Sequence, residues 1–316
     1  MKIEAKKTSE LSQTEIEQYG DCYTKVYERP TSSDNFLREY QNTCLGYSIH
    51  VLLYNEGNVI VGAYSLVPFL YEVNKEKKLF AYAAGLMIEK EYRGDFGNLY
   101  GLVRTMLKVA KKQFSCIYIF PNDNADIVNK QLIKADRIGE LDTYILPYKI
   151  GSFKSSFKIL NPLSKFFSRS LLFLSNLKKK CTEIKLPIFK SRNEFVSTRL
   201  KWSNYTTYED KEMTATWKVT QFEGIEAAFL MDVFPFSEFN FEKAVREMFK
   251  TEKDKVGLFI YVGLLQFHPI SMIKVPKKFA PKKFRFDIKL FDDSIPKDLI
   301  ENPYNWDINL SSYDLL

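Results

Sequence analysis

The stretch from Ala83 to Lys112, AAGLMIEKEYRGDFGNLYGLVRTMLKVAKK, carries the first decision about this chain. Its opening residues close a short apolar run, Phe80 to Ile88, bounded by charge, which predicts a buried strand. From Leu99 the apolar residues Leu99, Leu102, Val103, Met106, Leu107 and Ala110 recur at steps of three and four, one face of a helix. The last turns of that helix carry Lys108, Lys111 and Lys112, which suits the negative end of its dipole. Between strand and helix stand Arg93, Gly94 and Gly97. Glycines let the backbone approach a ligand, the first amides of a helix point at an anion, and Arg93 adds a fixed charge. The loop therefore predicts a phosphate cradle, although any strand-to-helix turn also favours glycine.

The neighbouring segments give this loop a setting. Upstream, TEIEQYGDCYTKVYE (14–28) and SDNFLREYQNTC (33–44) read as helices. YSIHVLLYNEGNVIVGAYSLVPFLYEV (47–73) reads as strands around an Asn-Glu-Gly-Asn turn, a hairpin signal. Downstream, SCIYIFPND (115–123) is a second buried strand and ADIVNKQLIKA (125–135) a helix.

This order, with the words Ile88-EKE-YRG and Phe120-PNDNA, resembles the GNAT N-acetyltransferase superfamily over roughly residues 15 to 148. The resemblance implies an α/β (α+β) fold and an acyl-CoA co-substrate. Leu86, Met87 and Ile88 would form the strand that holds the pantetheine, and Arg93, Gly94, Asp95, Phe96, Gly97 and Asn98 the turn that holds the pyrophosphate. Asn122 opens the helix that follows the second strand and would belong to the same site. The chain departs from the family pattern in three ways. Phe96 and Asn98 stand where small residues are usual, the turn is about two residues shorter, and Asn129 stands where a tyrosine often reprotonates the leaving thiolate. For the general base the candidates are Glu72, Glu89 and Glu91, each of which also reads as a solvated strand-end charge.

Between Lys149 and Thr182 lie eight basic residues and no acid. This marks a basic, helical linker over 149–189, separating a domain at 1–148 from one at 190–316. Within it NPLSKFFSRSLLFLSNLKKK aligns Leu163, Phe166, Phe167, Leu171, Leu174 and Leu177 on one side of a helix that starts after Pro162. Such a face either packs on the protein itself or lies on an anionic membrane, so peripheral membrane contact through 160–180 is one expectation.

After Lys190 the element order begins again. SRNEFVSTRLKWS (191–203) reads as a helix opened by a Ser191–Glu194 capping box, followed by strands at 214–222 and 225–236. A helix capped by Asn240 and a buried strand at 255–265 complete the copy. This predicts two GNAT-like domains, each a mixed, mostly antiparallel sheet flanked by helices. The second lacks the glycine turn and is expected to bind no CoA, shaping an acceptor cleft instead. FVSTRL (195–200) and NPYNWDINLSSYDLL (302–316) resemble words of bacterial GNAT-like proteins from surface-polysaccharide loci, with Trp306, Asp307 and Asp314 near the acceptor and Arg199 and Trp202 as further candidates.

Composition limits the alternatives. With 316 residues, 45% hydrophobic and 15% aromatic, the chain is globular and long enough for two cores. Cys22, Cys44, Cys116 and Cys181 have no metal-binding spacing, and His50 and His268, the only histidines, have no triad partners in sequence, so neither a metal nor a hydrolase is expected. Both histidines read as structural. The net charge of +7 is not arranged in a groove-reading motif, so no nucleic-acid partner is expected. Without an apolar leader or an eighteen-residue apolar run, the expected location is the cytoplasm. The functional expectation is an acyl-CoA-dependent N-acyltransferase on a small-molecule or glycan amine, such as an amino sugar. The alternatives are a catalytically lapsed binding protein of the same fold, or a FemABX-like aminoacyl transferase.

Overall fold

The computed structural model describes residues 1–152, 155–178, 183–201, 205–280 and 282–312. The strands are β1 Lys2–Lys7, β2 Ile49–Tyr54, β3 Ile60–Val73, β4 Glu76–Ile88, β5 Cys116–Ile119, β6 Asp136–Pro147, β7 Ile188–Lys190, β8 Thr206–Glu209, β9 Thr214–Phe222, β10 Ile225–Phe234, β11 Leu258–Gly263, β12 Ile273–Lys274 and β13 Phe284–Leu290. The helices are α1 Gln13–Tyr27, α2 Ser33–Gln41, α3 Phe96–Gln113, α4 Asp123–Val128, α5 Asn161–Ser175, α6 Arg192–Phe195, α7 Glu238–Glu252 and α8 Lys297–Glu301.

Two compact units form, and neither is a contiguous half. The first gathers residues 1–139, 187–202 and 284–305; the second gathers 140–186, 203–283 and 306–316. The expected boundaries at 148 and 190 therefore differ from those of the folded units, and strand pairing explains why. In the first unit β1, β2, β3 and β4 are antiparallel neighbours, β5 runs parallel to β4, and β13 runs antiparallel to β5. In the second, β8, β9 and β10 are antiparallel, β11 runs parallel to β10, and β6 runs antiparallel to β11. Each unit thus closes with a strand supplied by the other half of the chain. β6 follows the first half yet pairs β11, and β13 follows the second half yet pairs β5.

Among the described residues the parallel pair of each unit is bridged by a helix, α3 or α7, as parallel strands require a crossover connection. Strand period sorts the first core. Ile49, Val51 and Leu53 of β2 pack in one cluster with Leu102, Val103, Met106 and Ala110 of α3. His50 turns to the other face, against the rings of Tyr19, Phe36 and Tyr40 from α1 and α2. With both faces covered, β2 and most of β3 read as continuous apolar runs. The second core gathers α7 residues Phe241, Val245 and Met248 with Trp217, Leu230, Phe259 and Tyr261.

Local signals differ from expectation in several places. α3 begins at Phe96, not Leu99, because Asp95 caps it. α7 is capped by Ser237, while the Asn240 side-chain amide donates to the Pro235 carbonyl at 2.8 Å. Ser191 bonds the Glu194 carboxylate directly at 2.7 Å rather than a backbone amide. His50 is fully buried, but His268 is exposed and not a core histidine. Trp306 is buried in the second unit; Trp202, Asp314 and Cys181 lie outside the described residues.

Candidate active site

β4 and β5 pair over only three positions, Phe80 with Cys116, Ala81 with Ile117 and Tyr82 with Tyr118. Beyond Tyr82, β4 runs on to Ile88 along β3 alone, so the edge of β4 that faces β5 leaves the ladder there. A bulge helps to turn it. Ser65 faces Ala84 and Ala63 faces Met87, which sets Gly85 and Leu86 of β4 opposite Tyr64 alone. Gly85 has φ 65°, the left-handed conformation that glycine accepts at no steric cost, and a Cβ there would lie 3.2 Å from the Tyr19 hydroxyl. The Tyr27 hydroxyl donates to the Leu86 carbonyl at 3.0 Å and pins the bulge to α1. Neither the bulge nor Tyr27 was read from the sequence, although an isolated glycine inside a strand pattern is a bulge signal.

The strand end leads into the glycine turn. One 3-10 turn, Lys90–Tyr92, follows Glu89; then the Arg93 side chain folds back and its Nε donates to the Ile88 carbonyl at 2.7 Å. The Asn98 amide, buried despite its polarity, donates to the Tyr92 carbonyl at 3.1 Å. The Asp95 carboxylate accepts from the Gly97 amide at 2.8 Å as the cap of α3. A Cβ on Gly97 would stand 2.9 Å from that carboxylate, which would have to turn aside. Gly94, by contrast, has open space where a Cβ would go, so nothing in its packing requires glycine. Phe96 is 63% exposed and stacks on Tyr100 with centroids 6.2 Å apart. The first turn of α3 therefore gathers Arg93, Gly94, Asp95, Phe96, Gly97 and Asn98 as the motif expects, but one of its anion-facing amides is occupied by the protein's own carboxylate. Asn122 caps α4 after the C-terminal end of β5, its side chain accepting from the Ala125 amide at 2.9 Å.

The three candidate bases fall at different places. Glu89 is buried at the end of β4, ion-paired with Lys25 of α1 at 3.0 Å. Glu91 lies exposed in the 3-10 turn. Glu72 faces Lys77 on β4, eleven residues before Ile88 (88 − 77), so at about 3.3 Å per residue it stands roughly 36 Å from the strand end. It is not grouped with the other two. Burial pushes the Tyr27 phenol up to about 12 and the Cys22 thiol, also on α1, up to about 12, so both stay protonated at neutral pH. Asn129 is buried in a one-turn π-helix, its amide donating to the Asp287 carboxylate of β13 at 3.4 Å. Arg137 bonds that carboxylate too, and also Asp126. Where a proton-donating tyrosine was the family expectation, this chain has a closed structural network.

A shallow cavity opens on the first unit between the Asn42–Cys44 loop, Val67–Leu70 of β3, and the FVSTRL word, which contributes Phe195, Thr198 and Arg199. Arg199 is buried with its guanidinium over the Phe69 ring at 5.9 Å. Burial raises the phenols of Tyr82 and Tyr118, and the Arg199 charge opposes that rise at both. These tyrosines are the last paired residues of the β4–β5 ladder, so the cavity's cation acts at the point where the strands part.

No family model matches the sequence, and no curated protein does. Solved structures do. A GCN5-related N-acetyltransferase from Anabaena variabilis superposes at TM-score 0.54 with 15% identity, over 91% of this chain and 73% of that one. One from Kribbella flavida gives TM-score 0.56, 10% identity and coverage of 92% and 72%. A conserved protein of unknown function from Enterococcus faecalis gives 0.54, 12%, and 92% and 73%.

The chain has the GNAT fold.

The second unit repeats the strand, helix and parallel-strand order of the first with a different turn. β10 also carries a bulge, between Leu230 and Asp232, ahead of its helix. Here Ser237 caps α7, Asn240 ties back to Pro235, and the fully buried Glu242 carboxylate accepts from the amides of Ile270 and Ser271. Nothing in this turn resembles the Arg93–Gly97 loop. Among the described residues no group of three or more His, Cys, Asp or Glu could hold a metal ion.

Proposed function

We propose that this chain is an acyl-CoA-dependent N-acyltransferase whose acceptor is an amine, with amino sugars of surface-polysaccharide synthesis the first class to test. What carries the reading is the parting of β4 from β5 after Tyr82, at a glycine bulge and next to the Arg93 turn, within a GNAT fold. An extended pantetheine fits along the β4 edge from Ala83 to Ile88, where backbone groups no longer belong to a β4–β5 ladder. Arg93 and the first turn of α3 would face the pyrophosphate once the Asp95 side chain rotates off the Gly97 amide.

In this reaction the acceptor amine attacks the thioester carbonyl, the C–N bond forms, and the C–S bond breaks. Amides near the bulge would stabilise the oxyanion, because donors fixed in advance cost no reorganisation. Glu89, buried at the end of β4, is the carboxylate placed to take the amine proton, directly or through water, once the amine displaces Lys25 from it. Tyr27 has its hydroxyl proton engaged on the Leu86 carbonyl at 3.0 Å. It is a positioning residue for the Leu86 carbonyl, and the thiolate takes its proton from solvent. The second unit binds no acyl-CoA in this reading.

A lapsed enzyme is the competing reading, and specific observations favour it: the Asp95 carboxylate on the anion-facing amide and the Asn129–Asp287 network in place of a donor. Titration calorimetry with acetyl-CoA and CoA separates the two. Binding in the micromolar range supports the transferase, and a screen of amino-sugar nucleotides for thiol release then finds the acceptor. Absence of heat or competition up to millimolar ligand sinks it.

A further inference from the structure

Helix α5 is folded inside out. An amphipathic helix on a soluble protein buries its leucines and shows its serines to water, yet α5 buries Ser164, Ser168, Leu172 and Ser175 against the second unit. Ser164 and Ser168 donate to the Tyr148 and Pro147 carbonyls at 3.0 and 2.8 Å, and Ser175 accepts from Arg246 at 3.1 Å. These small residues let the helix seat closely with every buried hydroxyl satisfied. The consequence is that the other side is apolar and open: Ile159 is 84% exposed, Leu163 66%, Phe166 71%, Phe173 67% and Leu177 65%. Their steps of four, three, seven and four place them on one stripe of the helix and its flanking turns.

We propose that this stripe is a docking face for an anionic phospholipid surface. Charge selects the occupant. The segment from Lys149 to Thr182 carries eight basic residues and no acid; of those described, Lys158 and Arg169 are exposed beside the stripe, while Lys178 pairs with Glu238. A second copy of the chain seated on the same face would set Lys158 and Arg169 against their own images, since a two-fold contact pairs a patch with itself. An acidic headgroup layer complements them, while the phenylalanines and leucines enter the acyl boundary. The helix lies on the surface and does not cross it: fifteen residues rise about 22 Å, short of a hydrocarbon core of about 30 Å, and no described helix is long and apolar enough to span.

The test is sedimentation of the full chain with phosphatidylcholine vesicles, with and without phosphatidylserine, at low and high salt, beside light scattering of the protein alone. The expected result is binding to phosphatidylserine vesicles that weakens at least about tenfold at high salt and on neutral vesicles. The F166S/F173S variant should lose that binding with an unchanged circular dichroism spectrum and melting temperature, because both rings are exposed. An absence of binding to phosphatidylserine vesicles overturns the proposal, as does equal binding to neutral ones. So does a dimer of the native chain that F166S/F173S dissolves. None of these outcomes depends on acyl-CoA.

Discussion

Asp95 sits where two demands on one helix end conflict. As the cap of α3 it satisfies the Gly97 amide; as a carboxylate it opposes any phosphate brought to the same amides. Asp95→Ser keeps an oxygen cap and removes the charge, so CoA should bind about fivefold tighter by calorimetry while stability changes by less than about 0.5 kcal/mol. His50 offers a second residue-scale prediction. Its ring nitrogens are bonded to Thr8 and Ser65 at 3.0 and 2.9 Å, and burial pushes the imidazole down to about 3. The unfolded chain therefore binds a proton on His50 near pH 6.5 that the folded chain refuses. Stability attached to this residue is complete above about pH 6.5 and falls as pH drops toward 3, by at most about 1.4 kcal/mol per unit. Urea titrations between pH 7.5 and 5 should show this slope in the native chain and a flatter one in His50→Asn. Residue types and spacing made the Arg93–Asn98 loop legible as a helix start. What they could not state is which oxygen fills the cap, because Asp95 and a phosphate satisfy the same amides.

At the scale of elements, the network where β5, β13 and α4 meet should respond sharply to loss of one partner. Asp287 is 1% exposed and depends on Arg137 and the Asn129 amide. Arg137→Met leaves its charge buried with one weak donor, at a cost of about 3 kcal/mol in chemical denaturation, and the double variant Arg137→Met/Asp287→Leu should recover most of it. Periodicity located α3 and α5 well, since each is long enough for a three-four pattern to repeat. It could not say which side of α5 is covered. Leu and Phe at helical spacing define a stripe, but whether protein or another phase meets it depends on whether the opposite side can seat. Four small or branched residues, Ser164, Ser168, Leu172 and Ser175, answered that. The β4 bulge escaped for a related reason: Gly85 shows only that a strand can bend, and the partner strand decides that it does.

The whole molecule is two similar units that have traded strands. The repeat of element order was visible along the chain because hairpin, helix and parallel strand are local in sequence. The exchange was not, since Asp287 of β13 finds Ile119 of β5 across 168 positions (287 − 119), and nothing near either residue names the other. A fragment of residues 1–148, natural in a reading of contiguous domains, should therefore fail as an independent fold. It lacks β13, whose Phe286 and Ile288 are buried, and leaves β5 as a bare apolar edge. Far-UV circular dichroism should show no cooperative urea transition for the fragment and a clear one for the full chain.

The same trade has a consequence for the order of manufacture. A ribosome releases the chain from its N-terminus, and domains ordinarily complete themselves in that order. Here the half that emerges first cannot finish before residues 284–305 have been made, while the strand that closes the later unit, β6, is made before the strands it will join. The earlier sheet keeps an open flank until β13 has been made, after every described strand of the later unit.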